Sequence, residues 1–188
     1  MNDFQLYFKL GLSHILSWSS IDHILFLWAL IIVFSLKDWR KLLYLVSLFT
    51  VAHTTSLFLS VYGVLQVNEA LIETLILWTI LITALSNIIF QNQQTLTKIH
   101  YYFSFIFGLI HGLGFATDFK MMMAGQTSKL LPLLFFAAGI ETAQIILGLG
   151  ILIVTGLLVK IWLKNTRELY ILASGIIIGY VLALLFNS

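Results

Sequence analysis

The sequence contains no cysteine, which excludes disulfides and thiolate metal sites alike. Its one proline, Pro132, falls near a predicted helix start, where proline is tolerated. Charge is scarce: 10% of residues, against roughly 25% in a soluble domain. The net charge is only +2, and no basic block suggests nucleic acid as a partner. Strand-like alternation is absent, which argues against a β-barrel. There is no GxSxG, Walker or Rossmann signature, no internal repeat and no low-complexity tract. The N-terminal stretch MNDFQLYFKLGLSH lacks a basic leader region and a small-residue cleavage site, so it reads as mature sequence.

What is present is apolar: 60% of the chain is hydrophobic. The expected class is an all-α integral membrane protein, with residues 1–188 forming a single transmembrane helical domain in lipid. Polar breaks leave a short first segment, Phe4–Trp18, followed by Ile21–Leu36, Leu42–Tyr62, Glu69–Phe90, His100–Ala116, Leu130–Trp162 and Glu168–Phe186. The first reaches about 22 Å, short of a hydrocarbon core of about 30 Å. The expectation is six firm transmembrane helices plus a short N-terminal seventh. Lys37, Arg40, Lys41, Lys98, Lys160, Lys164 and Arg167 cluster in alternate loops, against Lys120 and Lys129 on the other side. That asymmetry makes the first group cytoplasmic, with the bacterial inner membrane as the expected location.

Polar residues inside the apolar runs cost on the order of 2.5–3.5 kcal/mol each when ionisable, so they usually face the bundle interior and serve a function. Asp22 and His23 open a segment running inward. His53 lies past the middle of one running outward, and Glu73 just inside the next. His111 sits in the last third of its segment, Glu141 about a third of the way down its own, and His14 near the end of the first. All fall in one half of the bilayer, the outer half by the charge rule. Their convergence suggests one site for a divalent metal ion, built from His14, Asp22, His23, His53, Glu73, His111 and Glu141. Imidazole and carboxylate donors without thiolate suit nickel, zinc, cobalt or iron better than copper(I).

Plainer roles compete residue by residue. Asp22 also suits a helix N-terminus. His53 or His111 alone suits a hydrogen-bonding core histidine. Glu141 and Gln144 suit helix–helix hydrogen bonding, and Asn87 suits packing glue. Glu69 reads as solvated at the membrane edge and His100 as interfacial. Met121, Met122 and Met123 read as an interfacial anchor before a thioether site. Gly108, Gly112 and Gly114 let another helix approach His111 closely.

The stretches GLSHILSWSSIDHILF (11–26), LFTVAHTTSLFLS (48–60), NEALIETLILWTILITALSN (68–87), FGLIHGLGFA (107–116) and FFAAGIETAQ (135–144) resemble, in order and spacing, the HupE/UreJ family. These membrane proteins are associated with hydrogenase and urease maturation and are regarded as nickel permeases. The resemblance implies a small helical bundle and divalent-metal transport. It places the family's histidine and Asp-His motif on His14, Asp22 and His23, and its His-Gly motif on His111 and Gly112. Seven residues separate His14 from Asp22 here, against five in the family's usual form. Beside transport of nickel, zinc or cobalt stand two alternatives. One is an intramembrane zinc-dependent hydrolase acting on a lipid-like substrate. The other is a metal-binding sensor or accessory protein. Self-association into a homo-oligomer is compatible with either.

Overall fold

The computed structural model describes residues 2–90, 92–123, 126, 128–161 and 166–187. Trp162 and Lys164 lie outside the described residues. Among those described there are eight α-helices and no strand: α1 Asp3–Leu16, α2 Ile21–Ile31, α3 Trp39–Val61, α4 Glu69–Ile89, α5 Gln93–Gly114, α6 Ala116–Met122, α7 Leu130–Ile161 and α8 Thr166–Asn187. Four helices are long and apolar enough to cross a membrane. Two bent pairs, α1 with α2 and α5 with α6, raise the number to six if each counts as one span. The protein is an all-helical polytopic membrane bundle.

The bend between α1 and α2 departs from the expected segmentation. Fourteen residues of α1 and eleven of α2 reach about 21 Å and 16 Å, so neither crosses alone. α2 stops at Ile31, short of the end of its apolar run at Leu36. There Ser35 and Asp38 form a reciprocal capping box that starts a new turn into α3. α1 runs parallel to the first half of α7. Phe4 packs edge-on against Phe135 at 5.2 Å, Gly139 meets the Phe8 carbonyl, and Leu16 shares an apolar cavity with Ile146. α1 and α2 therefore read as two pieces of one crossing, broken at the 3₁₀ turn Trp18–Ser20.

α5 also departs from its expected start. Asn92 accepts from the amides of Gln94 and Thr95, so the helix begins seven residues before His100. His100 consequently lies two turns inside α5 and is 0% exposed, buried against other helices rather than on the bundle surface. Pro132 sits in the first turn of α7, as expected.

Two glycine contacts set the closest helix approaches. Gly11 on α1 meets the backbone of Phe136, Gly139 and Ile140 on α7, and Gly108 and Gly112 on α5 meet Phe49 and His53 on α3. Small residues at both crossings let backbones touch where lipid supplies no hydrophobic drive for association. Asn87 donates to the Ala29 carbonyl at 2.8 Å and to Ser174 at 3.2 Å, tying α4 to α2 and α8.

Candidate metal centre

Four imidazoles from four helices meet in the interior. His14 lies in the last turn of α1, His23 in the first turn of α2, His53 within α3 and His111 in the last turn of α5. The His23 ring centroid is 4.8 Å from His14, 4.9 Å from His111 and 5.9 Å from His53, and His14 is 5.8 Å from His53. Ligand atoms of Asp22, His23 and His111 all lie within 4.8 Å of one another. His53 and His111 are 0% exposed and His23 is 5% exposed.

The hydrogen bonds around the cluster direct lone pairs into it. Asp22 Oδ1 lies 3.2 Å from His23 Nδ1. A carboxylate there accepts, so Nδ1 carries the proton and Nε2 offers its lone pair. On the far side the Thr79 hydroxyl donates to the Ile76 carbonyl at 2.7 Å. Its hydrogen being spent, it accepts from His111 Nε2 at 3.0 Å, which leaves the lone pair on Nδ1. His14 Nε2, His23 Nε2, His111 Nδ1 and both ring nitrogens of His53 are buried without a hydrogen-bond partner. Each such group left unsatisfied costs on the order of 1–3 kcal/mol. A dication would satisfy several at once, and Asp22 would offset its charge. The histidine held by a carboxylate or hydroxyl on its other nitrogen is the usual outer support of a metal ligand. Thr79→Val removes that support from His111. The expected result is a metal affinity lowered about 10–100-fold, measured by equilibrium dialysis, with Thr79→Ser close to wild type.

His14, Asp22, His23 and His111 line an open cavity of about 470 Å³, with His53 buried behind them. Glu73 lines this cavity but is solvent-exposed, so it stands at the rim. Asp118, not anticipated from the sequence, lines it too. The 50° bend after Gly114 swings α6 over the opening and carries Asp118 there. Its only sequence clue is an acid following the glycine-rich end of α5. Of the three consecutive methionines, Met122 borders the cavity, Met123 is buried in the core and Met121 is exposed. Glu141 stands apart. Ser47 donates to it, and it lines a separate cavity with Thr50, Thr54 and Thr55. Gln144 accepts from Thr50 at 3.1 Å, so both side chains fasten α7 to α3.

Phenylalanines close the cluster on its inner side. One helical turn from His23, His53 and His111, all on the same side of the cluster, lie Phe26, Phe49 and Phe107. Phe26 packs at 5.4 Å from Phe49 and 6.0 Å from Phe107, and all three are buried. The His–Phe spacing of three or four residues is visible in each helix of the sequence, but only packing brings the three rings together.

A protein-family model, described as HupE / UreJ protein, matches residues 1–188. No curated protein and no solved structure shows a significant match. With the whole length covered, including every helix that contributes to the histidine cluster, the chain belongs to the HupE/UreJ family.

Proposed function

We propose that the protein carries a divalent transition-metal ion, nickel or zinc first, across the cytoplasmic membrane of a bacterium, and that His14, Asp22, His23, His53 and His111 bind it. The supporting observation is a set of buried, unpartnered imidazole nitrogens at the base of an open cavity with acidic groups. Asp22, Glu73 and Asp118 line that cavity together with Ser13, Ser17 and Ser20. Such a surface attracts a hydrated cation and exchanges its water for fixed oxygen and nitrogen donors. A lipid hydrolase would need an apolar trough beside the metal, and the strongly apolar cavity lined by Trp28 and Ile151 includes none of the cluster histidines. The family membership supports the same reading. Glu73 belongs to capture at the rim, and Glu141 to helix packing.

Inward movement of a dication down the membrane potential yields about 4.6 kcal/mol per 100 mV, twice the single-charge value. No nucleotide-binding segment is present to add to that. Purified protein in proteoliposomes is expected to admit Ni²⁺ or Zn²⁺ faster when a negative-inside potential is imposed. His111→Ala is expected to reduce entry to the rate of protein-free vesicles. Equal rates with and without wild-type protein would remove the transport reading.

A further inference from the structure

A second, unassigned polar centre lies on the other side of the phenylalanine floor. His100 and His111 are eleven residues apart on α5, about 16 Å along the axis and within about 20° of the same face. Phe107 and Ser104 lie between them on that stripe, and all four are buried. His100 is 0% exposed, and neither of its ring nitrogens closes a hydrogen bond. The Leu30 carbonyl stands close enough to one ring nitrogen to be a loose acceptor, which leaves the other without any partner. Phe34 and Phe103 flank the imidazole at 5.9 and 6.4 Å. Asn87 Oδ1 is likewise fully buried and without a donor, while its amide holds Ala29 on the same final stretch of α2.

Packing alone gives no reason for this histidine. A leucine would fill the space and spare the unpartnered nitrogen, worth on the order of 1–3 kcal/mol. The surroundings instead favour a cation. α2 ends here, so its last carbonyls present the negative end of the helix dipole. Beyond Phe34 opens a cavity of about 230 Å³ on the Lys-rich side, lined by Ser35, Asp38 and Gln93 among others.

Resting on the transport reading above, we infer that His100 is a second ligand station for the same divalent ion, on the cytoplasmic side of a gate made by Phe26, Phe49 and Phe107. An ion leaving the four-histidine cluster passes the parted rings and is met by the His100 imidazole and the Asn87 carbonyl. It then enters the inner cavity beside Phe34. Without such a station, the ion would cross the inner half of the bundle bare.

The test separates binding from passage. His100→Leu removes both nitrogens at similar volume, and His100→Phe extends the aromatic stack with Phe34 and Phe103. Should leucine disturb folding, phenylalanine decides the same question. For each folded variant, Ni²⁺ binding to detergent-purified protein, thermal midpoint and initial Ni²⁺ entry into proteoliposomes are measured. Binding within about twofold of wild type, a midpoint at or above the wild-type value and entry reduced at least tenfold are expected. Wild-type entry in either folded variant would overturn the station while leaving transport intact. Absence of entry by the wild-type protein would overturn the transport reading, and this inference with it.

Discussion

Alanine at His23 is expected to lower Ni²⁺ or Zn²⁺ affinity by more than about 100-fold, beyond the 10–100-fold typical of losing an outer support. His23 is the imidazole in ring contact with all three others, so its loss leaves the remaining donors without their centre. The metal-free fold should change little, because the substitution also removes a buried, unpartnered nitrogen. Thermal unfolding with and without metal reads both effects. Metal at 100 times its dissociation constant stabilises wild type by about 2.7 kcal/mol, and His23→Ala should show no such shift at that concentration. Glu69→Ala serves as the control: Glu69 is exposed and lines none of the cluster's cavity, so its affinity should match wild type. Affinity in His23→Ala within threefold of wild type would mean that the cluster does not hold the ion.

Gly112→Ala should damage both stability and binding without removing any ligand. A Cβ at this position falls well inside contact distance of the His53 carbonyl and of Ser56 Oγ. Ser56 is already engaged, donating to that same carbonyl at 3.0 Å, so neither atom can move alone. The two helices must separate, at a cost of about 1–3 kcal/mol for overpacking. For a chain of this size that lowers the midpoint by about 2–4 °C per kcal/mol. His53 and His111 ride on the two helices being forced apart, and ligand geometry tolerates only about 0.5 Å. Metal affinity should therefore fall at least about tenfold. Gly150→Ala, where a Cβ meets nothing within 4 Å, should leave both properties unchanged. An unaltered midpoint in Gly112→Ala would show that α3 and α5 are not locked at this crossing.

Depth was legible in the sequence, and azimuth was not. Counting along alternating helices placed Asp22, His23, His53 and His111 at one level, and these are found together; His14 joins them although α1 runs the same way as α2 rather than against it. Glu141 was placed at the same level by the same count. It lies two residues, about 200° around the helix, from Gly139. Gly139 faces α1, which leaves Glu141 facing Ser47 on α3. Nothing in a single helix says which neighbour will occupy which side. The break at Ser19–Ser20 was legible, but not that the two short pieces share one crossing, because nothing in either piece says which way it runs. The true start of α5 was hidden for another reason. Its first two turns are polar, and only the Asn92 cap shows that they are helical. That misplaced start hid His100 as well.

The break at Ser17–Ser20 gives the binding energy a direction in which to act. His14 belongs to the first piece of the bent pair, and Asp22 and His23 to the second, so the angle between the pieces sets whether the donors converge. An ion bound across the break, as proposed, would be a staple holding that angle. A few degrees of opening would loosen it without unfolding a single turn. If the cluster holds an ion as proposed, affinity and shape would share one coordinate, because a bound ion would favour the bent form.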